Sequence, residues 1–231
     1  MADYSLYYWP VPFRGQFIRA ILTFAGKGWN ERADQMSALM EQTPGRQPVP
    51  FMGPPVLVNE KNGFALSQMP AIAFYLGETL GLLPDTPEGR AMSLKIVNDA
   101  NDVIDEITQD GGREMWTAAT WNDFLPRLKR WMTFWEVTGL RHDLGEQAGF
   151  LLGTPRAGIA DIVTATLWST LRERFPSIGK MLDEEAPRTA ALCARLWQTP
   201  SLRALAKDSD QRYGDSYCGG QIGRSLKKVA G

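Results

Sequence analysis

The sequence predicts an α+β protein in two parts, and three observations carry that prediction. Strand-like and helix-like segments alternate through about the first eighty residues. The run Leu82-Leu83-Pro84-Asp85-Thr86-Pro87 then breaks the pattern as a linker. Beyond it, apolar residues recur at helical spacing with no strand alternation. The expected division is a mixed layer over residues 1–83 and an all-helical part over 84–231, ending in a mobile tail from about residue 208.

Each element has a local reason. Tyr4 to Trp9 is aromatic and apolar, which suits a strand, and Pro10-Val11-Pro12 stops it. From Arg14 to Ala25 the pairs Phe17/Ile18, Ile21/Leu22 and Phe24/Ala25 fall on one helical face, and Gly26 and Gly28 end the helix. Trp29 to Ala33 reads as a second strand and Met36 to Glu41 as a short helix, followed by a proline-rich loop over Thr43 to Pro54. Val56 to Val58 is a short apolar strand entered through Pro54-Pro55, Asn59 to Gly63 supplies turn residues, and Phe64 to Leu66 returns. Ser67 stands where a helix N-cap belongs, with Pro70 in the first turn and an apolar run to Leu80.

In the second part, helices are expected from Glu88 to about Asp110 and from Trp121 to about Arg141, the latter with Phe124, Leu128, Trp131 and Trp135 on one face. Gly158 to Leu171 is apolar nearly all round and reads as a buried central helix, opened by Gly158 with Asp161 placed to reach back to the cap amide. Arg188 to Trp197 and Leu202 to Lys207 complete the bundle.

Composition narrows the function classes. At 231 residues the chain is long enough for a substantial core, and a formal net charge of -1 gives no basic footprint for nucleic acid. No apolar run reaches the ~20 residues that span a bilayer, and the N-terminus lacks a signal-peptide pattern, so a cytoplasmic protein without a membrane partner is expected. Cys193 and Cys218 form neither a CxxC pair nor a zinc set, which excludes dithiol redox chemistry and leaves no metal site expected. Cys193 reads as buried and inert, while Cys218 sits in a glycine-rich tail that would expose it. His142, the only histidine, is placed at a helix end where a cation suits the dipole.

The pattern of a proline, Val56-Leu57, a turn, and Leu66-x-Gln68-x-x-Ala71-Ile72-x-x-Tyr75-Leu76 resembles the second half of the thioredoxin-like domain of cytosolic glutathione S-transferases. The likeness extends over about residues 4 to 207. It implies a thioredoxin-like domain followed by an all-α helical bundle, glutathione as co-substrate, and a homodimer. Taken alone, Pro54-Pro55 reads as an ordinary trans turn; the resemblance implies a cis-proline there.

Members of this family hold the glutathione sulfur as thiolate by a hydrogen bond from Tyr, Ser or Cys. No Ser or Thr lies between Leu6 and Leu22 and no Cys precedes Cys193, so Tyr7 and Tyr8 remain. The run Tyr8-Trp9-Pro10-Val11, with Arg14 and Arg19 following, is similar to the start of the tyrosine-type classes, especially pi. The resemblance gives Tyr8 the catalytic place and Arg14 that of the nearby cation. By residue type alone, Tyr8 is a core aromatic at a strand end, and Tyr7, facing the other way, keeps that core reading. A free thiol has pKa about 8.5, so a phenol O–H and a guanidinium aimed at sulfur favour the anion by about 1.4 kcal/mol for each tenfold gain in ionisation.

The resemblance further implies glutathione contacts at Gln68 and Met69, at the Pro54-Pro55 bend, at Arg46 by its spacing from Pro55, and at Asp99. In Ile96-Val97-Asn98-Asp99 that aspartate matches the pi-class residue reaching across a dimer; read alone it is a solvated carboxylate. Pro10, Val11, Met115 and Trp116 are expected to line a pocket for a small hydrophobic electrophile. Two departures stand out: Met69 replaces a serine hydroxyl, and Pro54 has no N–H to donate. At ~0.5–1.5 kcal/mol for a lost bond and ~1–3 kcal/mol for an unpaired carboxylate, they would weaken glutathione binding about tenfold to several hundredfold. The competing expectation is a transferase-fold binding protein that carries ligands or a protein partner without efficient conjugation.

Overall fold

A computed structural model describes residues 2–231. Its first layer is a four-stranded sheet in the order β2-β1-β3-β4, with strands β1 (Tyr4–Tyr7), β2 (Trp29–Glu31), β3 (Val56–Asn59) and β4 (Ala65–Ser67). β1 runs parallel to β2, with Tyr4 opposite Trp29, and antiparallel to β3, with Leu6 opposite Leu57. Helices α1 (Phe13–Phe24) and α3 (Met69–Thr79) pack together beside the sheet through Ile18, Leu22, Ile72 and Leu76, all fully buried. A short helix, α2 (Met36–Met40), follows β2. The mixed layer thus matches the element order read from the sequence.

The second part is entirely helical among the described residues: α4 (Pro87–Glu106), a short turn α5 (Gln109–Gly112), α6 (Ala118–Leu140), α7 (Ile159–Arg174), α8 (Pro176–Glu185), α9 (Pro187–Trp197), α10 (Pro200–Tyr213) and α11 (Gly220–Ala230). α7 is the buried centre, enclosed from Ile159 through Leu171 and packed against α1, α4, α8 and α9. Trp135 of α6 meets Trp168 of α7 edge to face at 5.4 Å and donates its indole N–H to Thr164 Oγ1 at 2.9 Å. That bond satisfies a polar group that the aromatic packing would otherwise strand.

The glycine at the head of α7 has a steric cause. A Cβ on Gly158 would stand 2.6 Å from the Leu82 carbonyl oxygen, and that carbonyl accepts the Ile159 amide at 3.0 Å. No serine or threonine fits there, so Asp161 does the capping: its carboxylate accepts the Gly158 amide at 2.9 Å and the Leu151 amide at 2.7 Å. One buried side chain therefore ties the α6–α7 loop to the central helix, and the Leu82 carbonyl joins the linker to the same helix start.

Three expectations are corrected. Ser67 does not cap α3, because it pairs with Val56 in the sheet; Gln68 takes the N-cap position with φ 74° and no side-chain cap bond. α8 was not anticipated, although Pro176 opens it as Pro187 and Pro200 open the next two helices. The segment from about residue 208 is not an irregular tail: α10 continues to Tyr213, and α11 docks with Leu226 and Ala230 fully buried. Cys218 lies buried within this segment.

Removing the Asp161 carboxylate leaves two amides without an acceptor. Asp161→Ala is expected to lower unfolding free energy by about 2–4 kcal/mol in urea titration. A change below about 0.5 kcal/mol would show that water replaces the cap.

Candidate functional site

Tyr8 follows the end of β1, and the first turn of α1 lies directly over its ring. A Cβ at Gly15 would stand 2.3 Å from Tyr8 Cδ1, so this close approach requires glycine. The Tyr8 hydroxyl oxygen accepts the Arg14 backbone amide at 3.0 Å, one of the donors that a helix start leaves open. The Arg19 guanidinium sits 5.8 Å from the ring centroid. The hydroxyl's own proton has no protein acceptor in hydrogen-bonding reach among the described residues.

Tyr8 has the burial that its residue type alone suggests, whereas Tyr7, expected in the core, does not. Tyr8 is 2% exposed and Tyr7 is half-buried. They do face opposite ways, but the covered side is the one on which α1 begins. Burial pushes the Tyr8 phenol up to about 12, against the opposing pull of the Arg14 charge, the Arg14 amide and the Arg19 charge. At neutral pH the group is a protonated phenol and can act only as a hydrogen-bond donor or acceptor.

Arg14 is held by α4. Its Nε donates to Asn101 Oδ1 at 3.3 Å and its guanidinium pairs with Asp105 at 3.0 Å. Neither partner was expected, although Asn101 and Asp105 stand at i, i+4 on one helix face, the spacing that lets two side chains meet one cation. Asp99, the expected contact, is instead ion-paired with Lys95 of its own helix. These carboxylates crowd: burial raises the Asp102 carboxyl above its ordinary value, and Asp99, Glu106 and Asp105 add to the rise.

Just before β3, the Pro54–Pro55 peptide bond is cis, as the family resemblance implies and against the trans reading of the dipeptide alone. Gln68 is exposed at the corner between β4 and α3, held at positive φ, a conformation few non-glycine residues adopt. The Met69 side chain is fully buried in the core, so toward this corner the residue offers only its main chain. Arg46 is exposed in a 3-10 turn over Pro44–Arg46.

Of the four expected pocket residues, Val11 lines a cavity. That cavity, about 290 Å³, is walled by Val11, Phe175 and the C-terminal segment between Asp215 and Lys227. Pro10 is exposed, Met115 is half-buried, and Trp116 is committed to an aromatic cluster, 5.1 Å from both Trp121 and Phe124, with its indole N–H on the Ile107 carbonyl at 2.8 Å. The segment carrying Tyr217 was missed by the sequence reading. Its carbonyl accepts the Phe13 amide at 3.2 Å, and its ring meets both Phe13 and Phe175 edge on at 5.5 Å. Ser225 accepts the Trp116 amide at 3.2 Å.

A larger cavity of about 500 Å³ lies between α1, β2 and α10. It contains none of the expected site residues; Arg19 is paired with Glu31 and Arg212 with Asp208, while Arg32 of its wall donates from Nε to Ser5 Oγ at 3.5 Å. Among the described residues no cluster of His, Cys, Asp and Glu is arranged to hold a metal, and no helix is long and apolar enough to cross a membrane. His142 Nδ1 lies 2.8 Å from the Thr138 carbonyl at the end of α6, and burial pushes the Cys193 thiol up to about 12.

In a spectrophotometric pH titration, comparison of wild type with Tyr8→Phe should assign no phenolate to Tyr8 below about pH 11, because its pKa lies near 12. A tyrosinate lost with Tyr8→Phe and ionising near pH 9 would contradict the closed environment described above.

The family model described as glutathione S-transferase, C-terminal domain, matches residues 92–229. Among proteins with curated descriptions none matches the sequence. Solved structures are similar in fold: a monomeric glutathione S-transferase from the hookworm Necator americanus at 22% identity and TM-score 0.70, covering 89% of this chain and 97% of that one. A Nu-class GST from Haemonchus contortus aligns at 20% identity and TM-score 0.68 over 90% and 97% of the two chains. A Pi-class enzyme from Onchocerca volvulus aligns at 15% identity and TM-score 0.72 over 90% and 94%. The thioredoxin-like layer, the helical bundle and a family match spanning more than half of the sequence together establish that this chain belongs to the glutathione S-transferase family.

Proposed function

We propose that the protein is a glutathione transferase in which Tyr8 hydrogen-bonds the glutathione sulfur as thiolate while the thiolate attacks a small hydrophobic electrophile. The observation that carries this reading is the Tyr8 hydroxyl itself: it accepts the Arg14 amide at 3.0 Å and retains an uncommitted proton. A phenol held protonated by burial is the form that can donate to a thiolate, and the amide on its oxygen strengthens that donation. Arg14 acts as a nearby cation, positioned by Asn101 and Asp105.

Glutathione is placed along the edge formed by Pro54, Pro55, Gln68 and Met69, with Arg46 toward its glycine carboxylate. The division falls after residue 83, the first part binding glutathione and the second supplying the electrophile pocket. The protein is read as cytoplasmic and homodimeric. Met52, 93% exposed in the loop before the cis bond, and Phe64, 45% exposed at the hairpin, supply apolar surface for a second copy. In such a dimer Asp99 would exchange Lys95 for the glutathione amine.

A second reading, a ligand carrier or protein-interaction module without efficient conjugation, is favoured by a specific observation: Tyr8 is 2% exposed, beneath α1 and close to the C-terminal segment. Pro54, without an amide to donate, points the same way. Calorimetry with glutathione and turnover of an aryl halide separate the two. Under the enzyme reading the wild type binds glutathione in the millimolar range or tighter, and Tyr8→Phe keeps the affinity but loses roughly 10- to 1000-fold in rate. Absence of binding at millimolar glutathione supports the carrier, and an unchanged rate in Tyr8→Phe removes Tyr8 from the chemistry. Met69→Ser is not a clean control, because emptying this core position costs about 2–5 kcal/mol of stability.

A further inference from the structure

Phe13 opens α1 with φ 29°, a left-handed backbone that a bulky side chain rarely adopts. The neighbouring chain leaves it little choice. On one side the Arg19 guanidinium donates to the Val11 carbonyl at 3.0 Å and to the Pro12 carbonyl at 3.4 Å. On the other, the Phe13 amide donates to the Tyr217 carbonyl at 3.2 Å, and the two rings meet edge on at 5.5 Å. Tyr217 is buried and set edge on against Phe175, so this clasp belongs to the folded C-terminal segment. The next residue is Arg14: its amide donates to the Tyr8 hydroxyl at 3.0 Å, and its guanidinium lies 4.8 Å from the Phe13 ring centroid. An unfavourable backbone held from both sides, one residue before a contact to the candidate catalytic group, marks a position where strain serves geometry.

We propose that Phe13 is a positioning residue: its left-handed backbone, clasped by Tyr217, aims the Arg14 amide at the Tyr8 oxygen. The consequence for a sulfur anion rests on the transferase reading; the aim of the amide does not. A bond accepted by the phenol oxygen polarises its O–H, so the clasp bears on how strongly Tyr8 donates. The competing account is ordinary packing, in which the ring merely fills space beside Tyr217. The two differ in what replaces Phe13 best. Packing rewards apolar volume, whereas positioning rewards tolerance of positive φ, which glycine has outright and asparagine in part, and which alanine and serine lack.

The test uses the full-length protein without glutathione, so that its outcome is independent of whether conjugation occurs. Amide hydrogen exchange followed by NMR reports on the Arg14 N–H directly, with Ile21 in the middle of the same helix as reference. Tyr8→Phe should speed Arg14 exchange about tenfold, which identifies the phenol oxygen as its acceptor. F13A should do the same while Ile21 stays within about twofold. F13G and F13N lose the ring as completely, yet should keep Arg14 within about threefold of wild type. Phe13 is half-buried, so these variants are expected to fold, and F13S replaces F13A if circular dichroism shows the alanine protein unfolded. Equal Arg14 exchange in F13A and F13G, wild-type exchange in F13A, or no change in Tyr8→Phe would overturn the proposal. With glutathione added, the ionisation constant of the bound thiol should fall about threefold in F13A and hold in F13G. If no variant binds glutathione while the exchange pattern stands, the transferase reading falls and the positioning role remains; normal turnover with a failed exchange pattern does the reverse.

Discussion

The first turn of α1 is the constraint on which the rest of the structure depends. Its open amide at Arg14 meets the Tyr8 hydroxyl, its Gly15 leaves room for the Tyr8 ring, and its Arg14 side chain reaches α4. Five residues further on, Arg19 is buried against Glu31 of β2 and accepted by the Val11 and Pro12 carbonyls. A single helix start thus fixes the end of β1, the edge strand and the helical bundle. Any side chain at position 15 would push the ring away and take the hydroxyl off the helix axis.

Two opposing effects act on Tyr8, and burial wins. The nearby arginines and the amide favour phenolate, yet the phenol rises to about 12 because desolvating an oxyanion costs more than those partners return. The consequence is chemical rather than merely electrostatic: at physiological pH this group cannot be a base. It can only stabilise an anion brought to it. On α4, Asn101 and Asp105 hold the Arg14 guanidinium beside the helix start, where its charge opposes the rise without overcoming it.

How much of this was legible in the sequence follows the range of the interactions involved. The mixed layer, the linker and the buried α7 are local patterns of apolar spacing and breakers, and they read directly. The Gly158–Asp161 cap was visible as a motif; the reason for glycine, the Leu82 carbonyl 2.6 Å from where its Cβ would lie, was not. Tyr8 and Arg14 were found by motif likeness and do lie together. Asn101 and Asp105 were overlooked because α4 offers many polar positions and only its packing on α1 selects two of them. The C-terminal segment misled for a different reason: glycine-rich flanks around Cys218 read as a loose tail, whereas Tyr217 and Leu226 are anchors whose pockets are made by distant residues such as Phe13 and Phe175. Contacts of that sequence separation leave no local periodicity to read.

The central claim is that the Tyr8 phenol stabilises a sulfur anion. The measurement that addresses it most directly is the ultraviolet thiolate absorbance of protein-bound glutathione as a function of pH. A thiol with an ordinary pKa of about 8.5 should ionise with a midpoint near 6.5–7.5 on the wild-type protein and return to about its ordinary value on Tyr8→Phe. The same midpoint on both proteins, with glutathione bound to each, would contradict the account.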